Sequence, residues 1–279
     1  MRNIFLGAGA IIALAGGVMV PGEAVRAQSI VSTSESFMTT DLVTGRSFSD
    51  GSREMGLLLR VVPGWKTYWR NPGESGIPPR FDWSGSENLA GVEVLWPRPT
   101  IFESFGLTTL GYADEVVLPM RMTPVDPARP IKVRGKLMMG VCKDICVLEE
   151  TDVAAVTTPD APGNNPQLIA DWLRRVPGDG SAIGVLGAEC RISGVGTERA
   201  FEAKLKLSHP LSSPMVVLEG PENSWFYETS SAVEDGSIRV TSRLAVIDPA
   251  TWIGRSDVRI TVLSGDEAAD IQGCSATAG

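Results

Sequence analysis

The stretch IKVRGKLMMGVC (residues 131–142), continued by KDI (143–145) and CVLEETDVAAV (146–156), decides the fold. Ile131, Val133, Leu137, Met139 and Val141 fall on one face of a period-two pattern, and Lys132, Arg134, Lys136, Met138 and Cys142 fall on the other. Such alternation marks a half-buried strand. Cys146 to Val156 reads as its return partner, which makes 143–145 a three-residue hairpin loop. Cys142 and Cys146 then face each other across two strands. Non-hydrogen-bonded cross-strand pairs bring Cα atoms to about 4.5 Å, near the short end of disulfide geometry.

Working outward, the same kind of pattern recurs. Met55–Val62 (MGLLLRVV) is a strand stopped by Pro63-Gly64, Val92–Trp96 is a short strand stopped by Pro97 and Pro99, and Glu115–Met122 is another. Residues 28–48 hold a lead-in strand, and 71–79 (NPGESGIPP) form a long loop of turn formers. Short strands with frequent Pro and Gly breaks predict an all-β sandwich. A linker follows over 157–166. Asn165-Pro166 then starts a short helix whose Leu168, Trp172 and Val176 make one packing stripe before Pro177-Gly178 ends it. After Ile183 the alternation returns: Phe201, Ala203, Leu205 and Leu207 share a face, and Met215–Leu218, Ser237–Val246 and Val258–Leu263 follow. This predicts a second, smaller β-domain. Residues 264–279 are polar and small, with loose order expected.

The N-terminus reads as a secretory signal. Arg2 supplies the positive start, Ile4 to Val20 the short apolar run, and Val25-Arg26-Ala27 the small-residue cleavage site. The expected order is a signal peptide over 1–27, a sandwich with the close cysteine pair over 28–158, a linker and helix over 159–178, and a second β-domain over 179–279. Cleavage removes Arg2, Glu23 and Arg26 and moves the formal charge from −8 to −9. An acidic exported chain is no partner for nucleic acid or an anionic membrane surface. No later run approaches the roughly 20 apolar residues of a membrane span, so no stable insertion is expected after cleavage. The single histidine, His209, excludes sites built on two or three histidines. It also lacks the G-x-S-x-G elbow of a serine hydrolase, which leaves it a surface loop residue.

Export decides how the four cysteines are read, because disulfides persist in oxidising compartments. By parity, Cys190 pairs with Cys274 as a structural bridge. In the chain-entropy model its loop of about 85 residues gives roughly 4.6 kcal/mol, whereas a five-residue Cys142–Cys146 loop gives roughly 2 kcal/mol. A pair that stabilises weakly points to reactivity. Lys143 favours a thiolate there and Asp144 opposes it. Thiol–disulfide exchange needs no cofactor and no metal. Other readings stay open at this level: a static hairpin staple in a non-redox interaction module, a crossed pairing with Cys190 and Cys274, or a Cu(I) site of a copper-tolerance protein with Met138, Met139 or Met120 as thioether ligands.

Four blocks carry a family likeness: PGWKTYWRNPG (63–73), WPRP (96–99), GYADEVVLP (111–119) and GVCKDIC (140–146). In order and spacing they resemble the periplasmic N-terminal region of the DsbD and ScsB thiol:disulfide interchange proteins, over roughly residues 35–160. The resemblance implies an immunoglobulin-like sandwich and a periplasmic disulfide reductase. Its pair would take electrons from a membrane donor of the DsbD/CcdA type and pass them to exported thiol–disulfide proteins. It implies that Cys146 attacks the partner and Cys142 resolves the mixed disulfide. In that family a cap loop with an aromatic shields the pair. Glu103-Ser104-Phe105-Gly106 occupies the matching place, making Phe105 the candidate cap and Glu103 a candidate acid near the sulfurs. Trp65, Tyr68 and Trp69 read as packing aromatics or as a docking surface. Two features depart from the DsbD type. The spacing is C-x3-C, as in ScsB-like proteins, and these 279 residues contain no later membrane segment and no thioredoxin-like domain, which implies a separate donor protein or action by another route.

Overall fold

A computed structural model describes residues 36–104 and 106–277. The expected signal peptide and Phe105 lie outside the described residues. Alternating apolar residues make ten strands in the first half: β1 (Met38–Ser47), β2 (Arg53–Val61), β3 (Lys66–Gly73), β4 (Arg80–Asp82), β5 (Leu89–Val94), β6 (Thr100–Ser104), β7 (Leu107–Ala113), β8 (Glu115–Pro124), β9 (Ile131–Cys142) and β10 (Cys146–Thr157). One sheet runs β1-β2-β8-β5. The other runs β10-β9-β3-β7-β6, with β4 also paired to β9. Their inner faces meet through Met55, Leu57, Leu59, Leu118, Met120, Leu137, Met139 and Trp69, all at most 1% exposed. This is the sandwich that the alternation implies.

The linking helix α1 (Pro166–Leu173) begins on Pro166 as its composition suggests. It ends earlier than the Leu168–Trp172–Val176 stripe implies, so Val176 lies past its C-terminus. Its buried residue is Ile169, which packs on Val43, Leu58 and Val117 from the outer face of the first sheet. That cover explains why β2 is buried on both faces rather than alternating.

The second half adds β11 (Val185–Ser193), β12 (Glu198–Leu207), β13 (Met215–Glu219), β14 (Ser224–Glu234), β15 (Ser237–Val246), β16 (Arg259–Ser264), β17 (Glu267–Gln272) and β18 (Ser275–Ala276). They form sheets β14-β15-β12-β11-β18 and β13-β16-β17 around Phe201, Leu205, Ile238, Val240 and Ile260. The three-stranded sheet works on both sides. Val216, Leu218, Ile260 and Val262 enter this second core, while Val217 and Leu263 join the first. No helix among the described residues is long and apolar enough to cross a membrane.

The tail corrects one expectation. Residues 264–277 are not loose: β17 pairs with β16, and β18 adds to β11 in parallel, with Glu189 opposite Ser275 and Cys190 opposite Ala276. Small polar residues hid both strands from a hydrophobicity pattern. Cys190, 1% exposed, is bonded to Cys274 beside this short pairing. Replacing both by Ser is expected to cost roughly 4–5 kcal/mol by the loop-closure argument, measured by urea unfolding. A loss under about 1 kcal/mol would mean that the tail is held without the bridge.

Candidate functional site

The site sits where β9 turns into β10. Every residue from Ile131↔Thr157 to Cys142↔Cys146 is paired in unbroken antiparallel register. The inward alternation of β9 pins that register, since a slip by one residue would turn its apolar set to solvent. Lys143 N–H donates to the Ile145 carbonyl at 3.0 Å and closes the tip. Cys142 and Cys146 are bonded, with Cα atoms 4.1 Å apart. Their environments differ: Cys142 is 2% exposed, whereas Cys146 stands open on the surface between exposed Ile145 and Leu148.

The neighbouring strand β3 builds the floor. Lys66 lies opposite Cys142 and Thr67 opposite Val141. Thr67 Oγ1 donates to the Gly140 carbonyl at 2.9 Å. Two residues on from Lys66, Tyr68 returns to the same face. Its hydroxyl donates to Cys142 Sγ at 2.8 Å and lies 3.5 Å from Cys146 Sγ. Glycines make room for its ring on both sides. A Cβ on Gly140 would stand 3.0 Å from two ring carbons, and one on Gly76, in the loop that folds over the ring, 2.7 Å from a third. Burial raises the pKa of the phenol above its ordinary value, so it remains a donor through the neutral range.

Lys66 points the other way along the sheet. Its Nζ donates to Thr109 Oγ1 at 2.9 Å and lies 4.9 Å from the centre of the Phe102 ring; burial lowers its pKa. Phe102 pairs with Thr109, and Glu103 with Thr108, across the β6–β7 hairpin. Alternation therefore sends Glu103 to the face opposite Phe102. There its carboxylate accepts from Thr108 Oγ1 at 2.8 Å, and no contact among the described residues brings it to the sulfurs. The candidate cap residue Phe105 lies outside the described residues.

The three candidate aromatics separate. Trp69 is fully buried in the first core, Trp65 stacks on Phe37 with centroids 3.8 Å apart, and Tyr68 alone meets the sulfurs. The sequence reads Tyr68 as a packing aromatic or part of a docking surface, because its contact with the sulfurs depends on the β3–β9 register between segments 74 residues apart. The thioether donors weighed for Cu(I) also separate from the pair. Met120 and Met139 are buried in the core, and Met138 sits four residues before Cys142, opposite Arg80 and Glu150, about 13 Å along the strand. Among the described residues, no group of three or more His, Cys, Asp or Glu is placed to hold a metal ion. His209 lies in an exposed turn, its Nδ1 3.0 Å from Ser208 Oγ.

Residues 34–158 match the family described as "Thiol:disulfide interchange protein DsbD, N-terminal". No curated protein matches the sequence. Among solved structures, the chain is similar to the N-terminal periplasmic domain of ScsB from Proteus mirabilis. The TM-score is 0.60 at 23% identity, covering 86% of this chain and 92% of that one, a likeness of fold.

Tyr68→Phe removes only the hydroxyl. At pH 8 it is expected to lower stability by about 0.5–1.5 kcal/mol. Folding raises the phenol's pKa, so the hydroxyl's contribution is complete below the unfolded value near 10 and is lost as pH rises through the folded one. The gap between wild type and Tyr68→Phe in urea unfolding should therefore shrink from pH 8 to above 10. A gap that widens would contradict the assignment.

Proposed function

From a first sandwich that matches the DsbD N-terminal family over residues 34–158, we propose a periplasmic thiol–disulfide exchange protein acting through Cys142 and Cys146. In this reading, electrons pass from a membrane dithiol carrier of the DsbD or CcdA type to disulfides of exported proteins. The observation that carries it is the asymmetric pair at the hairpin tip, with one sulfur open to a partner and the other buried against a phenol. The leader at 4–20 and the Val25-Arg26-Ala27 site support export.

The roles follow from access. In the reduced protein the Cys146 thiolate attacks one sulfur of a partner disulfide, and the other partner sulfur leaves as a thiolate. Cys142, deprotonated, then attacks Cys146 Sγ in the mixed disulfide. The partner's second sulfur leaves, the Cys142–Cys146 bond is restored, and the partner holds both electrons as a dithiol. The Tyr68 hydroxyl is a donor to the Cys142 sulfur, and a hydrogen bond to a thiolate is stronger than one to a disulfide sulfur. It therefore favours the reduced, charged form of Cys142. Glu103 remains a candidate cap residue held through Thr108 rather than through the sulfurs, and Phe105 remains the cap candidate that the family resemblance implies.

Single variants test this scheme against a disulfide-bonded peptide. Cys146→Ser should abolish reduction. Cys142→Ser should accumulate a mixed disulfide through Cys146, visible by mass spectrometry. The wild-type rate should rise with pH through the attacking thiol's pKa. Near-normal reduction by both variants would end the proposal.

A further inference from the structure

We infer that the second β-domain positions the redox pair, and that it acts through Arg70. This inference rests on reading Cys142–Cys146 as the exchange site.

Strand β3 is the common member. Tyr68 touches the sulfurs, Trp69 fills the first core, and Arg70 reaches into the second domain. Arg70 Nε donates to both carboxylate oxygens of Glu219, at 3.1 and 3.0 Å. Its Nη2 donates to both oxygens of Asp270 and to Thr261 Oγ1, each at 3.0 Å. Thr261 Oγ1 in turn donates to Asp270 at 2.6 Å. The guanidinium carbon rests 4.1 Å from the centre of the Trp69 ring. The Arg70 side chain is only 10% exposed, so these bonds fix it in a largely dry place.

The path continues along the chain toward the sulfurs. Asn71 Nδ2 donates to the Leu218 carbonyl at 3.3 Å, and its Oδ1 accepts from Gly73 N–H at 3.1 Å. Glu74 N–H donates to the Thr108 carbonyl at 2.9 Å, and Thr108 N–H donates back to Glu74 Oε2 at 2.6 Å. Gly76 closes on the Tyr68 ring. The loop shielding Tyr68 is therefore anchored at its start, to the second domain through Asn71 and to the β6–β7 hairpin through Glu74.

Stability alone is a poor account of this cluster. Two acids share one guanidinium in a largely buried place, and burial raises the pKa of Glu219 despite its partner. Buried ion pairs of this kind seldom outperform apolar packing in stability, and their best-attested use is to specify one arrangement. Here the arrangement specified is the position of β3 and its loop, hence the hydroxyl-to-sulfur contact. Arg70 is a positioning residue, and Tyr68 is the group it positions.

The test is a double-mutant cycle on the full chain. The equilibrium constant of the pair with glutathione would be measured for wild type, Arg70→Met, Tyr68→Phe and the double variant. Tyr68→Phe should shift it toward the disulfide by about two- to tenfold, the span of one lost hydrogen bond. Arg70→Met should shift it the same way, and the double variant no further than Tyr68→Phe alone. Glu219→Gln and Asn71→Ala give a second route should Arg70→Met fail to fold, with smaller shifts of the same sign. Asp266→Asn, which alters the separate interdomain contact with Arg98, should change nothing. Additive effects, or clamp variants indistinguishable from a wild type that still exchanges, would overturn the inference and leave the exchange reading standing. A wild type that does not exchange at all would instead remove that reading.

Discussion

The structure depends on the register between β9 and β10. A strand has period two, so its register decides which side chains enter the core and which face solvent. With Ile131, Val133, Leu137, Met139 and Val141 inward, Cys142 must emerge on the outer face at the strand's last residue, opposite Cys146. The packing of the sandwich thus aims the sulfurs. The same rule acts on β3, where Trp69 turns inward and Lys66 and Tyr68 turn outward beside Cys142. Core and site are two faces of one sheet, and neither can shift register without the other.

That constraint also makes the pair unequal. Cys142 lies between strands, under a ring held by two glycines, while Cys146 begins an outer strand and is open to solvent. An exchange centre has use for this inequality: the accessible sulfur meets a partner, and the sheltered one resolves the mixed disulfide. The short loop between them adds little to fold stability by chain entropy, whereas the long Cys190–Cys274 loop adds much. Two disulfides in one chain thus stand in different physical situations.

Much of this was legible in the residues. The Ile131–Cys142 alternation predicted a half-buried strand, and its repetition with Pro and Gly breaks predicted an all-β fold. Asn165-Pro166 marked the start of the helix. What escaped was whatever depended on distant segments meeting. Tyr68 looked like any strand aromatic, because its partner is 74 residues away. Strand β3 itself was obscured by the Pro-Gly pairs at its ends and by an irregularity between Tyr68 and Gly73. Arg70 carried no local signal, since its acids come from β13 and β17. The tail strands lacked the apolar rhythm that reveals a strand; antiparallel pairing with β16 orders β17, and a parallel edge pairing beside a disulfide orders β18. Glu103 shows the reverse case: proximity in sequence to a cap loop says nothing of which face of a hairpin a side chain takes.

The most direct measurement is the reduction potential of Cys142–Cys146, by equilibration in defined thiol buffers with thiol trapping and mass spectrometry. The exchange account predicts a potential above about −300 mV, with Cys190–Cys274 still oxidised under the same conditions. A potential well below that value would make the hairpin pair a structural staple and contradict the account at its centre.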